Sequence, residues 1–136
     1  MDESLLDTDI LNEVLKQRNA NVVQHAAVYL SQHADFAISS ITRYEVLRGL
    51  KERNAVAQLG RFHTFCRQSI VLPVSDDILD RAADLWVEGR RLGMAPKDAD
   101  LIIAATAMDH DRTLATGNTP HFQWITGLRI VNWRDP

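Results

Sequence analysis

The chain carries one cysteine, Cys66, among its 136 residues, so no internal disulfide can staple it. Cys66 lies in the apolar pattern Leu59, Phe62, Phe65, Cys66 of an expected helix and reads as a core residue. No apolar run approaches the roughly 20 residues that a helix needs to span a bilayer. The opening Met1-Asp2-Glu3-Ser4 is acidic where a secretory signal is basic, so the expectation is a cytoplasmic protein with no membrane partner. Low-complexity stretches, internal repeats and Gly/Ser linkers are also lacking, and the length with 46% hydrophobic residues suits one core, hence a single domain over 1–136. The histidines (His25, His33, His63, His110, His121) show no HExxH or His/Cys ligand spacing, which disfavours zinc.

Net positive charge is lacking too: the formal balance is -3 at pH 7, against the basic excess that phosphate binding favours. That average hides an asymmetry. Between Arg43 and Arg67 stand six basic residues, Arg43, Arg48, Lys51, Arg53, Arg61 and Arg67, against Glu45 and Glu52 alone. The segment reads either as a face for a polyanion or as a solvated helix face balanced by acids elsewhere.

Short apolar runs alternate with helical patterns along the chain. Strands are expected at Ser4 to Asp7, Phe36 to Ser39, Ile70 to Leu72, Thr113 to Ala115 and Arg129 to Val131. Between them fall helices near Ile10 to Lys16, Val22 to Gln32, Thr42 to Leu50, Val56 to Cys66, Asp76 to Leu92 and Asp98 to Met108, with Ser75 placed to cap the fifth and Gly93 and Pro96 to end it. This alternation implies an α/β fold, a three-layer α/β/α sandwich around a mainly parallel sheet of about five strands. Ligands of such sheets bind beyond the carboxyl ends of the strands, where Asp7 and Glu45 are expected to meet.

Taken singly, each acid has a structural explanation. Asp7-Thr8-Asp9 suits a helix cap, Thr42-x-x-Glu45 matches a capping box, and Asp98 and Asp100 suit a helix N-terminus. Gathered at one rim, however, carboxylates repel one another and invite a cation. Mg²⁺ or Mn²⁺ fits, since such ions take one or two carboxylates, keep several waters and leave room for phosphate.

Four segments in this order resemble the PIN-domain ribonucleases, and within them the VapC-type toxins of bacterial toxin–antitoxin modules. They are Leu5-Leu6-Asp7-Thr8-Asp9-Ile10-Leu11; Ile38-Ser39-Ser40-Ile41-Thr42-Arg43-Tyr44-Glu45 with Gly49; Asp100-Leu101-Ile102-Ile103-Ala104-Ala105-Thr106-Ala107; and Thr116-Gly117-Asn118 with Phe122 and Gly127-Leu128…Asn132-Trp133. The resemblance covers nearly the whole chain. It implies a metal-dependent endoribonuclease with Asp7, Glu45 and Asp100 as catalytic acids, and with Asp7 and Asp100 binding Mg²⁺ or Mn²⁺ directly. Asp100 is chosen over Asp98 because the family's acid stands three residues before the isoleucine of its Ile-Ala-Ala motif, here Ile103. Asp98, Thr116 and Asn118 would support the site, Thr116 and Asn118 through hydrogen bonds to the acids or to a metal-bound water. Arg48, Lys51 and Arg53 would bind RNA. The implied partners are an RNA substrate, a cognate antitoxin protein over the basic segment, and a second copy in a homodimer. At the position just before Phe122, where the family often carries a fourth acid, this chain has His121, which bears on whether one or two metals bind.

Two other readings stay open on the sequence. Asp7-Thr8-Asp9 after a strand resembles the Asp-x-Asp of haloacid-dehalogenase-like phosphatases, with Ser39 or Ser40 as the second-strand hydroxyl. Against it, Ile10-Leu11 replace the usual Gly-Thr type turn, the only lysines are Lys16, Lys51 and Lys97, and Glu45 is left without a role. The other is a non-catalytic PIN-like binding module.

Overall fold

The computed structural model describes residues 1–136. Five strands, β1 (Ser4–Leu6), β2 (Ala37–Ser39), β3 (Ile70–Leu72), β4 (Thr113–Ala115) and β5 (Ile130–Val131), alternate with six helices. The helices are α1 (Thr8–Lys16), α2 (Ala20–Gln32), α3 (Ser40–Glu52), α4 (Val56–Arg67), α5 (Asp76–Arg91) and α6 (Asp98–Asp109). Every strand pairing is parallel: β1 with β4 and β4 with β5 in one ladder, β2 with β3 in another. Strand β1 lies beside β2, so the spatial order is 3-2-1-4-5, although no continuous ladder joins those two. The chain crosses from one side of β1 to the other between β3 and β4, which places a topological switch at β1.

Period-2 alternation on these three-residue strands divides the interior into two layers. Leu6, Ile38 and Ala115 join Ile10, Leu11, Val22, Tyr29, Phe62 and Trp133 on the side of α1 to α4. Leu5, Ala37 and Leu114 turn to the opposite side, packing on Ile78, Leu85, Leu101, Ile103 and Phe122 from α5, α6 and the loop beyond β4. Each large side chain buried this way contributes about 1.5–3 kcal/mol.

Local chemistry sets the ends that matter for the site. Asp7 caps α1, its Oδ1 accepting the Thr8 N–H at 2.8 Å, and its own N–H donates to Ala115 O at 2.9 Å. Ser75 caps α5 through the Ile78 N–H at 3.2 Å, as its sequence position indicates. The capping-box reading of Thr42 and Glu45 fails: Ser39 caps α3, its Oγ accepting from Ile41 N–H, and the helix begins two residues before Thr42. Thr42 is buried in the first turn, and Glu45 is released from any capping duty. A short 3₁₀ turn over Thr119–His121, which no apolar periodicity announces, follows β4.

Candidate active site

The C-terminal ends of β1, β2 and β4 deliver Asp7, the start of α3 and Thr116 to one rim. Asp7 is 4% exposed. Its Oδ2 accepts from Thr116 Oγ1 at 2.8 Å, and Thr116 Oγ1 in turn accepts the Asn118 backbone N–H at 3.0 Å. The Asn118 side chain itself is exposed and makes no hydrogen bond within the protein, so its support for the acids passes through its backbone. Burial first, and the neighbouring Asp9 charge second, push the Asp7 carboxyl up to about 7; the bonds from Thr116 and Thr8 pull it down, and Asp100 adds a further upward push.

Glu45 reaches the rim from the second turn of α3. Its Oε1 accepts from Thr8 Oγ1 at 3.0 Å, which ties α3 to the first residue of α1. Arg48 stands 4.0 Å from Glu45 Oε2 and stacks over Tyr44, its guanidinium carbon 5.2 Å from the ring centre. Asp100, in the first turn of α6, faces His121, with Nδ1 3.5 Å from Oδ2. Burial raises the Asp100 carboxyl, while His121 and Lys97 oppose that rise.

Two residues earlier, the helix turns a side chain toward a different face, and Asp98 illustrates it. Asp98 is the first residue of α6, accepts no capping hydrogen bond, and lines an apolar groove between α5 and α6 with Leu79, Trp86, Val87 and Ile102. Asp98 makes no hydrogen bond or ion pair with Asp7, Glu45 or Asp100 in this arrangement. Arg48 and Lys51 are exposed on α3 and Arg53 is exposed at its C-cap, where it forms a cation-rich wall with Lys16, Arg18 and Arg61 along a groove of about 330 Å³ between α1, α3 and α4.

Asp9 is more engaged than the sequence suggests. Its Oδ1 accepts the Ile10 N–H at 2.8 Å, its Oδ2 accepts the Gly117 N–H at 2.9 Å, and Arg134 Nη2 lies 3.6 Å from the same oxygen. A Cβ at Gly117 would sit 2.7 Å from Asp9 Oδ2 and run into the Arg134 guanidinium, so a side chain there would have to displace both. An aspartate held by two backbone N–H groups and paired with an arginine is poorly placed as the mobile acid/base of an Asp-x-Asp phosphatase. Arg134 escapes sequence reasoning because only the fold brings the chain's end to α1.

These oxygen donors suit a hard divalent cation: a buried carboxyl raised by its acidic neighbours is relieved by positive charge. No three His, Cys, Asp or Glu groups converge closely enough to cage an ion. The acids are turned to Thr8, Thr116 and Gly117 instead. The arrangement therefore fits an ion that keeps most of its water and takes one or two carboxylates.

The chain is similar to known proteins over nearly its whole length. The chain is 29% identical over 130 residues to Ribonuclease VapC1 of Methanocaldococcus jannaschii, covering 94% of this chain and 86% of that protein. Among solved structures it is similar to a chain of a toxin–antitoxin complex from Klebsiella pneumoniae, with 31% identity, a TM-score of 0.74 and coverage of 96% and 97% of the two chains. It also resembles a chain of DNA-bound VapBC from Salmonella typhimurium, at 25% identity and a TM-score of 0.81 over 98% and 99%. A sequence profile of the PIN domain matches residues 4–123, nearly the full length, and the chain belongs to the PIN domain family.

Proposed function

We propose that this chain is a divalent-metal-dependent endoribonuclease, a single nuclease domain over 1–136 that acts as the toxin of a toxin–antitoxin pair. The observation that carries the reading is the buried Asp7, raised to about 7 at the rim it shares with Asp9 and Asp100, in a chain similar to a named ribonuclease over 94% of its length. Asp7 and Asp100 would hold the ion, Mg²⁺ or Mn²⁺, from the ends of β1 and α6. Bound there, such an ion supplies a lowered pKa for water and positive charge against the phosphoryl oxygens.

The chain's own residues do the remaining work. Thr116 and Thr8 N–H hold the two Asp7 oxygens so that the carboxylate keeps one orientation. Asp9, clamped by Gly117 and Arg134, contributes negative charge beside Asp7 without competing for position. Glu45, held by Thr8, would bind or orient the ion through water. Arg48 and Lys51 lie on the same helix as Glu45, Arg53 follows as its C-cap, and the three would hold the RNA backbone by charge. An antitoxin protein would cover this basic helical segment and occlude the rim, consistent with the toxin–antitoxin complexes among similar structures, and two copies of the chain would pair. No helix of the chain is long and apolar enough to cross a membrane, and a cytoplasmic site of action, where RNA is plentiful, suits the reading.

Incubating the purified protein with a mixed RNA pool, with Mg²⁺, with Mn²⁺ and with chelator, tests the proposal. Cleavage restricted to the metal-containing samples supports it. Binding of RNA with no cleavage under any of the three conditions would favour a non-catalytic PIN-like module.

A further inference from the structure

His121 is the one histidine at the rim, and its backbone is held in place. Its backbone is held on both sides: its N–H donates to Asn118 O at 3.0 Å, and its carbonyl accepts from Trp124 Nε1 at 2.8 Å. The next residue, Phe122, is fully buried and anchors the 3₁₀ turn to the core under α6. From this fixed backbone the ring reaches the cleft of about 120 Å³ that it lines with Lys97, Asp100 and Trp124.

The ring's Nδ1 stops 3.5 Å from Asp100 Oδ2. That is longer than the roughly 2.7–3.2 Å of a well-formed N–H···O bond. Two donors bound to one octahedral ion at about 2.1 Å, by contrast, sit about 3 Å apart, so the pair is spaced almost as neighbouring ligands are. The ring is also half-exposed, so an incoming ion can reach it and take the place of the proton that Nδ1 presents to Asp100.

Resting on the metal-dependent reading above, we propose that the His121 imidazole is a direct nitrogen ligand to the ion held at Asp100, and that it tilts the site from Mg²⁺ toward Mn²⁺ and other first-row ions. The chemistry follows from ligand type: carboxylate and water suit Mg²⁺ and Mn²⁺ alike, whereas imidazole favours transition ions and gains little from Mg²⁺. The site would then be a mixed one, with the His121 nitrogen, the Asp100 carboxylate and water, in keeping with the absence of three converging protein groups.

Pulsed electron paramagnetic resonance of the full chain loaded with Mn²⁺ alone tests this without recourse to activity. The expected result is a nitrogen coupling that changes when histidine is labelled with ¹⁵N, is lost in His121→Asp, and accompanies a Mn²⁺ signal that Asp100→Asn removes. Calorimetry on the same proteins should find Mn²⁺ bound about tenfold more weakly by His121→Ala, with Mg²⁺ binding little changed. His121→Asp should bind Mg²⁺ more tightly than the parent and narrow its preference for Mn²⁺. Mn²⁺ bound at Asp100 with no nitrogen coupling, and with the same preference in both variants, would overturn the ligand assignment alone. No saturable Mn²⁺ or Mg²⁺ binding by the folded parent would overturn the metal-dependent reading together with it.

Discussion

Replacing Asp7 by asparagine should stabilise the ion-free protein at alkaline pH while removing its cleavage activity. Burial and the Asp9 charge move the Asp7 carboxyl from 3.8 to about 7. An acid whose pKa rises on folding binds its proton more tightly in the folded chain. Its stabilising contribution is therefore complete below about pH 4 and is lost as pH rises through about 7. At about 1.36 kcal/mol per pH unit between those values, keeping Asp7 ionised at pH 8 costs the fold about 4 kcal/mol. Asparagine avoids that charge and retains a carbonyl for the Thr8 N–H. It must rearrange the bond to Thr116, which costs about 1 kcal/mol. The net expectation is a gain of about 3 kcal/mol at pH 8 that shrinks to nothing near pH 4. Urea unfolding of both proteins in chelator, at pH 5 and pH 8, measures it. An Asp7→Asn protein less stable than the parent at pH 8, with no convergence toward acid pH, would refute the claim that Asp7 is a strained, buried acid.

Other substitutions separate the roles at the rim. Asp100→Asn should abolish cleavage with the fold intact, whereas Asp98→Asn, changing a side chain on the α5–α6 groove, should keep most of it; RNA cleavage rates of both variants check this. Neutralising Arg48, Lys51 and Arg53 together, in a cleavage-dead background, should flatten the log–log salt dependence of RNA binding by about 2, and an unchanged slope would assign these charges to solvent or a protein partner. Gly117→Ala should displace Arg134 and weaken the hold on Asp9, lowering the melting temperature by a few degrees, about 1 kcal/mol, and Arg134→Ala in the same background should add little if the two act through one contact.

Much of the frame is legible in local sequence. The pairs Leu5-Leu6, Ala37-Ile38 and Leu114-Ala115 mark strands buried on both faces, and Ser75 and the charges at the two ends of α5 mark that helix. The parallel architecture follows from strand–helix alternation, and with it the meeting of Asp7 with the start of α3 at one rim. What stays hidden depends on contacts made across the chain. Thr8 holds Glu45 over 37 residues, Gly117 holds Asp9 over 108, and neither leaves a periodic trace. The capping-box pattern at Thr42 misleads because Ser39 offers a hydroxyl earlier and Thr42 is drawn into the interior. Asp98 and Asp100 are equivalent as negative charges at a helix start; only the packing of α6 against α5 sends them to different surfaces.

The central claim is that the rim carboxylates act through a divalent ion to hydrolyse RNA, and one measurement bears on it most directly. Purified protein and its Asp7→Asn variant are given the same RNA pool while free Mg²⁺ or Mn²⁺ is titrated from chelated to saturating. The account predicts cleavage by the parent that rises with the ion to a plateau and vanishes in chelator, with none from the variant at any concentration. Undiminished cleavage in excess chelator, or equal cleavage by Asp7→Asn, would contradict it.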